Sequence, residues 1–101
     1  MTRRKVVRTI YSKPKFSCFC PMTKKEVVFD EVLLSLDEAE AIRLKDLEDL
    51  DQLEASRSMS ISRTTYLRIL KTARRKIASC IINGKKLNIG GGDCICRKIK
   101  K

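Results

Sequence analysis

Histidine and tryptophan are absent from this 101-residue chain, glycine occurs four times, proline twice, and two tyrosines and three phenylalanines are the only aromatics. Each shortage excludes something. Without histidine there is no imidazole to serve as a general base near neutral pH. The one glycine run, "GGGD" at 90–93, is too short and badly placed for a phosphate cradle between strand and helix. The acid pairs are better used as helix caps or exposed charges, so no catalytic residue is assigned and the chain is not expected to be an enzyme. Few aromatics argue against RNA, whose single strands are read by stacking. No apolar run approaches the ~18 residues that a spanning helix needs. The start, "MTRRKVVRTIY", has charge but no apolar stretch and no small-residue cleavage site. A cytoplasmic protein with no membrane partner is expected. In that compartment its five cysteines should be thiols or metal ligands rather than disulfides.

Charge is abundant and unevenly placed. Net charge is +11, with 35% of residues charged and 43% apolar, a globular composition that suits a single domain over 1–101. Residues 1–25 hold eight bases and no acid, residues 26–54 eleven acids against Arg43 and Lys45, and residues 55–101 thirteen bases against Asp93 alone. A surface kept merely soluble would mix its signs. Separation on this scale points to a positive face and a polyanionic partner.

Local signals organise the chain into three parts. Residues 1–34 read as a basic extended segment: "KVVRTIY" is strand-like, Pro14 and Pro21 exclude helix, and "SKPKFSCFCP" is loop. "EVVFDEVLLSL" fits a short helix or a strand equally. Ser35 with Glu38 makes a capping box, after which Leu36, Ala39, Ile42, Leu44 and Leu47 give the apolar face of a helix ending near Glu48. Asp51 with Glu54 opens a second, short helix. Ser62 opens a third, on which Tyr66, Ile69, Leu70, Ala73, Ile77 and Cys80 or Ile81 recur at helical spacing until Asn83-Gly84. "KKLNIGGGDCICRKI" then reads as a small hairpin with a basic tail over 83–101. The expected fold is mainly α: a three-helix helix-turn-helix domain over 35–82, an extended N-terminal segment and a small C-terminal β-hairpin.

In that motif a short helix braces a second one that enters the major groove. Ala55 and Ser56 are small where the two helices must approach, and Met59, Ile61, Tyr66 and Ile69 supply the core between them. Ser60 occupies a turn where glycine would be easier. Ser62, Arg63, Thr64 and Thr65 form the exposed first turn of the third helix, and Thr64, Leu67, Arg68, Lys71 and Arg75 line the face opposite the core. These eight are the candidate DNA-binding residues. Farther along, Arg74, Arg75 and Lys76 should lie toward the DNA backbone. One such helix reads few base pairs, so a homodimer or larger complex on double-stranded DNA is expected.

"LSLDEAEAIRLKDLEDL" followed by "DQLEASRSMSISRTTYLRILKTARRKIA" resembles a family of small, uncharacterised prokaryotic proteins predicted to bind DNA. "RTIYSKP" and "NGKKLNIGGGD" extend the resemblance over nearly the whole chain. It implies a helix-turn-helix similar to region 4 of sigma factors, with Ser62, Arg63, Thr65 and Arg68 on the recognition-helix pattern. The chain departs from that pattern at Asp51 (Ser is usual), Ser60 (Gly), Thr64 (Pro) and Leu67 (a polar residue), and Cys18 and Cys94 stand where aromatics are expected. The function expected is sequence-specific DNA binding in transcription regulation. Its rivals are a protein-interaction module contacting the transcription machinery, through Leu67, and a basic RNA-associated protein.

Two C-x-C pairs, Cys18/Cys20 and Cys94/Cys96, complete the reading. Four thiolates would meet if the N-terminal segment lay beside the C-terminal hairpin, and would hold zinc or an iron–sulfur cluster. Against this, C-x-C is a poorer zinc spacing than C-x₂-C, and alternate strand residues can simply be core. No other cofactor is expected. Cys80 reads as a small buried hydrophobe.

Overall fold

The computed structural model describes residues 8–97. The first helix, α1 (Leu36–Ile42), starts at Ser35, whose hydroxyl accepts from the Glu38 N–H while Glu38 returns to the Ser35 N–H. It runs into a π-helical turn, Arg43–Leu47, in which the Glu48 N–H reaches back to the Arg43 carbonyl at 2.9 Å. That extra residue per turn shifts the helix phase. Leu44 stays buried, but Leu47 swings to 75% exposure and leaves the apolar face it was expected to extend.

The second helix, α2 (Gln52–Ser58), is capped by Asp51, and the third, α3 (Arg63–Asn83), by Ser62, which accepts from the Thr65 N–H. Gly84 stops α3 in the left-handed conformation, φ 65°, its N–H on the Cys80 carbonyl. Between α2 and α3, Ser60 also has φ 58°. Its hydroxyl lies 3.0 Å from that of Thr9 and its N–H donates to the Arg57 carbonyl. A left-handed Cβ is unfavourable, so Ser60→Gly is expected to stabilise the fold by about 0.5–1 kcal/mol, after glycine's greater unfolded-state freedom is set against the relief. Chemical denaturation of the two proteins checks it; a destabilised variant would mean that the Thr9 contact outweighs the strain.

The expected mainly-α fold with a C-terminal hairpin is not what forms. The chain builds three helices and a three-stranded mixed sheet, an α/β arrangement. β1 is Cys18–Phe19, β2 is Glu31–Leu34 and β3 is Lys86–Ile89, in the order β1-β3-β2. β3 pairs antiparallel with β1, Cys18 opposite Asn88, and parallel with β2, Leu34 opposite Ile89. Both edges of β3 are thus taken by segments far away in sequence, and no edge is left for a local partner. Gly90, Gly91 and Gly92, all at positive φ, turn the chain away from the strand. Buried Asn88 holds that turn by donating to the Gly92 carbonyl at 2.8 Å. Within the ambiguous "EVVFDEVLLSL" only Glu31–Leu34 forms a strand, β2, while 26–30 are irregular, and part of the expected N-terminal loop becomes β1. Of the strand-like "KVVRTIY", residues 5–7 lie outside the described residues, and Arg8–Tyr11 are not strand. The end of the basic tail, 98–101, also lies outside them.

α3 is the common wall of two apolar clusters. Its first half packs Tyr66, Ile69 and Leu70 with Ala41, Leu44, Ala55 and Met59. Its second half packs Ala73 and Ile77 with Leu34, Leu87 and Ile89 of the sheet. Ile42 touches both clusters. Ala55 and Ser56 are buried where α2 crosses α3, as small residues at a close approach should be. Cys80, rather than Ile81, continues the inner face: Ile81 is 74% exposed.

Candidate nucleic-acid interface

The exposed surface around the α2–α3 turn collects most of the candidate DNA-binding side chains. Thr64, Leu67, Arg68, Lys71 and Arg75 stand three or four residues apart on one stripe of α3, opposite buried Tyr66, Ile69 and Ala73. The first turn is less available than its sequence implied. The Ser62 hydroxyl caps the helix and donates to the Thr65 hydroxyl at 2.9 Å. The Arg63 guanidinium holds Gln52 Oε1 of α2 at 2.8 and 3.1 Å, which orders it across the turn.

Two further arginines join them. Arg8, Arg57 and Arg68, with Ser60, Ile61, Ser62 and Thr65, line a groove of about 690 Å³ at the start of α3. Three guanidiniums and three hydroxyls face this groove, and no carboxylate lines it. Arg57 had a weak sequence signal, one turn before the α2–α3 junction. Arg8 had none: it arrives because Thr9 N–H donates to the Met59 carbonyl and Tyr11 N–H to Glu40 Oε2, both far along the chain. Arg8 is also within 3.3 Å of Asp37.

The acidic block takes up part of the basic one. Arg74 pairs with Asp46 on the turn after α1, and Lys76 reaches Glu38 at 2.6 Å and the Leu33 carbonyl at 2.8 Å. These two, expected near a DNA backbone, are instead ties between α3 and the layer beneath it. The Arg74 guanidinium holds the Asp46 carboxyl below its usual range. Arg57, Arg68, Lys71 and Arg75 form no ion pair among the described residues. Glu40 is buried: desolvation pushes its carboxyl up, but the hydrogen bond from Arg43, the Tyr11 N–H and the guanidinium charge outweigh it and hold the group low. Its role is to anchor the N-terminal segment.

The four C-x-C cysteines also come together, at the other end of the molecule. They do so as two disulfides, Cys18–Cys94 and Cys20–Cys96, not as the free thiols expected of a reducing compartment. The cause is the β1–β3 pairing, which sets Cys18 beside the strand that delivers Cys94 after the glycine turn. Cys80 is free and half-buried, its thiol pushed up by desolvation.

Among the described residues, no helix is long and apolar enough to cross a membrane. No solved structure matches the chain. Its sequence is similar to a UPF0251 protein of Thermoanaerobacter pseudethanolicus, 42% identical over 93 residues that make up 92% of this chain and 79% of the relative. A UPF0251 protein of Methanococcus vannielii is 41% identical over 95% of this chain and 74% of its own length. One from Prosthecochloris aestuarii is 46% identical over 89% of this chain, which spans 58% of that relative. With residues 1–97 matched, the chain belongs to the family described as protein of unknown function DUF134.

Proposed function

We propose that this chain is a non-catalytic, sequence-specific DNA-binding protein acting in transcription regulation. In this reading α2, the turn and α3 work as a helix-turn-helix of the sigma-region-4 kind, with the first half of α3 in the major groove. The observation that carries it is the carboxylate-free groove of Arg8, Arg57 and Arg68 at the start of α3, continued by the Lys71 and Arg75 stripe. A helix N-terminus with free N–H groups and flanking guanidiniums is suited to phosphate. The exposed stripe beyond it is suited to base edges. Two chains on one duplex would give the selectivity that a single helix lacks.

Arg68 and Arg75 divide the work. They lie about 10 Å apart along the helix axis at 1.5 Å per residue, close to the width of the major groove. A helix that presents Arg68 to bases therefore carries Arg75 to the backbone. On a site selected from random duplexes by the purified protein, Arg68→Ala is expected to cost about 1–3 kcal/mol and relax the preference at one position. Arg75→Ala should weaken all sequences alike and lower the log–log salt slope by about one unit. Both side chains are exposed, so the melting temperature should hold in each. Unchanged affinity and preference in Arg68→Ala would remove this helix from the DNA. A Leu67 substitution that then abolished binding to the polymerase would assign the helix to a protein partner instead.

A further inference from the structure

The cysteine cluster lies at the opposite end of the α3–sheet unit from the groove, and nothing in the proposed DNA contact uses it. It joins four sulfurs from two segments far apart in sequence, the members of each pair separated by 76 positions. A structural crosslink needs one bridge here. Two bridges side by side, from two C-x-C pairs, leave four sulfurs in one small volume. The Sγ atoms of Cys18 and Cys20, which are not bonded to each other, are 3.6 Å apart. Those of Cys18, Cys20 and Cys94 all lie within 4.8 Å of one another, and the fourth, Cys96, is bonded to Cys20.

These separations fit one kind of ligand. Four sulfurs at ~2.3 Å from a tetrahedral ion are about 3.8 Å from each other. The Cys18–Cys20 edge already has that length. The other edges need only the opening of two S–S bonds and small side-chain rotations, because the Cα atoms of the pairs, 5.2 and 5.6 Å apart, do not have to move far. An iron–sulfur cluster shares its four cysteines among two or four irons, and the sulfurs bound to different irons would lie farther apart than this frame holds them. The surroundings suit a negatively charged tetrathiolate. Cys94 is buried, and Lys86 Nζ donates to its carbonyl at 2.9 Å, placing a cation beside the site.

We propose that Cys18, Cys20, Cys94 and Cys96 form a redox-gated site for a single tetrahedral, thiophilic divalent ion of the zinc class, of which the paired disulfides are the oxidised, metal-free state. A dithiol reductant opens it: two dithiols deliver four electrons and four protons to the two S–S bonds, giving four thiols and two oxidised dithiols. One divalent ion then replaces the four thiol protons, giving a metal tetrathiolate of charge −2. Two molecules of an oxidised dithiol reverse the sequence by thiol–disulfide exchange: they take up the four electrons and four protons from solvent, the two S–S bonds re-form, and the divalent ion leaves. In either state the cluster ties β1 to the segment after β3. The inference does not depend on what that groove binds.

The test uses the full chain, reduced with a dithiol under inert gas, freed of excess reductant and titrated with Co²⁺ alone and then with Zn²⁺. One Co²⁺ per chain is expected, with the ligand-field and charge-transfer bands of tetrahedral tetrathiolate cobalt. Zn²⁺ should abolish those bands, and about four protons should be released per ion in weak buffer. Cys80→Ser should leave the spectrum and stoichiometry intact, whereas Cys96→Ser should change it to that of a three-sulfur site or remove it. Should reduction without metal unfold the chain, Zn²⁺ ought to restore its helical circular dichroism in the wild type and not in Cys96→Ser. Absence of the tetrathiolate spectrum, a stoichiometry well below one, or a site that ignores Cys96→Ser but requires Cys80 would overturn the proposal.

Discussion

Tyr66→Ala is expected to destabilise the protein by about 3–5 kcal/mol, the range for removing a buried aromatic ring. Tyr66 is fully buried at the junction of α1, α2 and α3, packed in the cluster with Ala41, Leu44, Ala55 and Met59. Its hydroxyl donates to the Ala41 carbonyl at 2.7 Å, so the ring fills the helical core and also fastens α3 to α1. Tyr66→Phe separates the two roles. It keeps the ring and leaves the carbonyl without this donor, at a cost of about 1–2 kcal/mol. The same residue gives the wild type an alkaline limb. Burial raises the phenol to about 12, with the Asp46 carboxylate adding to the effect and the Arg74 guanidinium opposing it. A folded-state pKa above the ordinary value of about 10 means that the contribution is complete below pH ~10 and is lost as pH rises toward ~12. Urea denaturation at neutral pH ranks the three proteins; repeating it up the alkaline range should show a steeper loss in the wild type than in Tyr66→Phe. A loss below about 1 kcal/mol in Tyr66→Ala would mean that the core closes over the gap, and would contradict the packing described above.

The second large effect is on binding. Affinity for duplex DNA is expected to fall with salt along a log–log slope of about −5, from six phosphate contacts at roughly −0.9 each. A fourfold rise in salt should then weaken binding by about a thousandfold. Arg57, Arg63, Arg68, Lys71 and Arg75 supply five cations on the face around the α2–α3 turn, and Arg8, whose pair with Asp37 is longer at 3.3 Å, supplies the sixth. Arg74 and Lys76 are left out because their charges are satisfied by Asp46 and Glu38. Arg74→Ala should accordingly change stability more than salt slope, opposite to Arg75→Ala. Fluorescence anisotropy on a labelled duplex across a salt series measures the slope. A flat response, or no binding at low salt, would remove nucleic acid as the partner altogether.

What the sequence determined was local. Ser35, Asp51 and Ser62 were identifiable as helix caps because a cap is a hydroxyl or carboxylate bonding to an N–H three residues on, and all three do so. The inner face of α3 and its exposed stripe were equally readable, since a helix converts spacing directly into direction. The sheet was not. A reading of neighbours pairs "KLNI" with whatever follows the next glycine turn, whereas β3 pairs with Cys18–Phe19 and Glu31–Leu34, segments far back along the chain. The π-helical turn that exposes Leu47 escaped for the same reason, because apolar spacing assumes an unbroken helical period. Charge blocks were visible in composition, but which bases stay free was decided by ion pairs spanning 28 residues at Arg74 and 38 at Lys76. Arg8 reached the groove through backbone hydrogen bonds that leave no trace in local pattern. The cysteines divide along the same line: spacing picked out the four that matter, and only strand pairing could say that they meet, because a sulfur carries no signal of its partner across 76 residues.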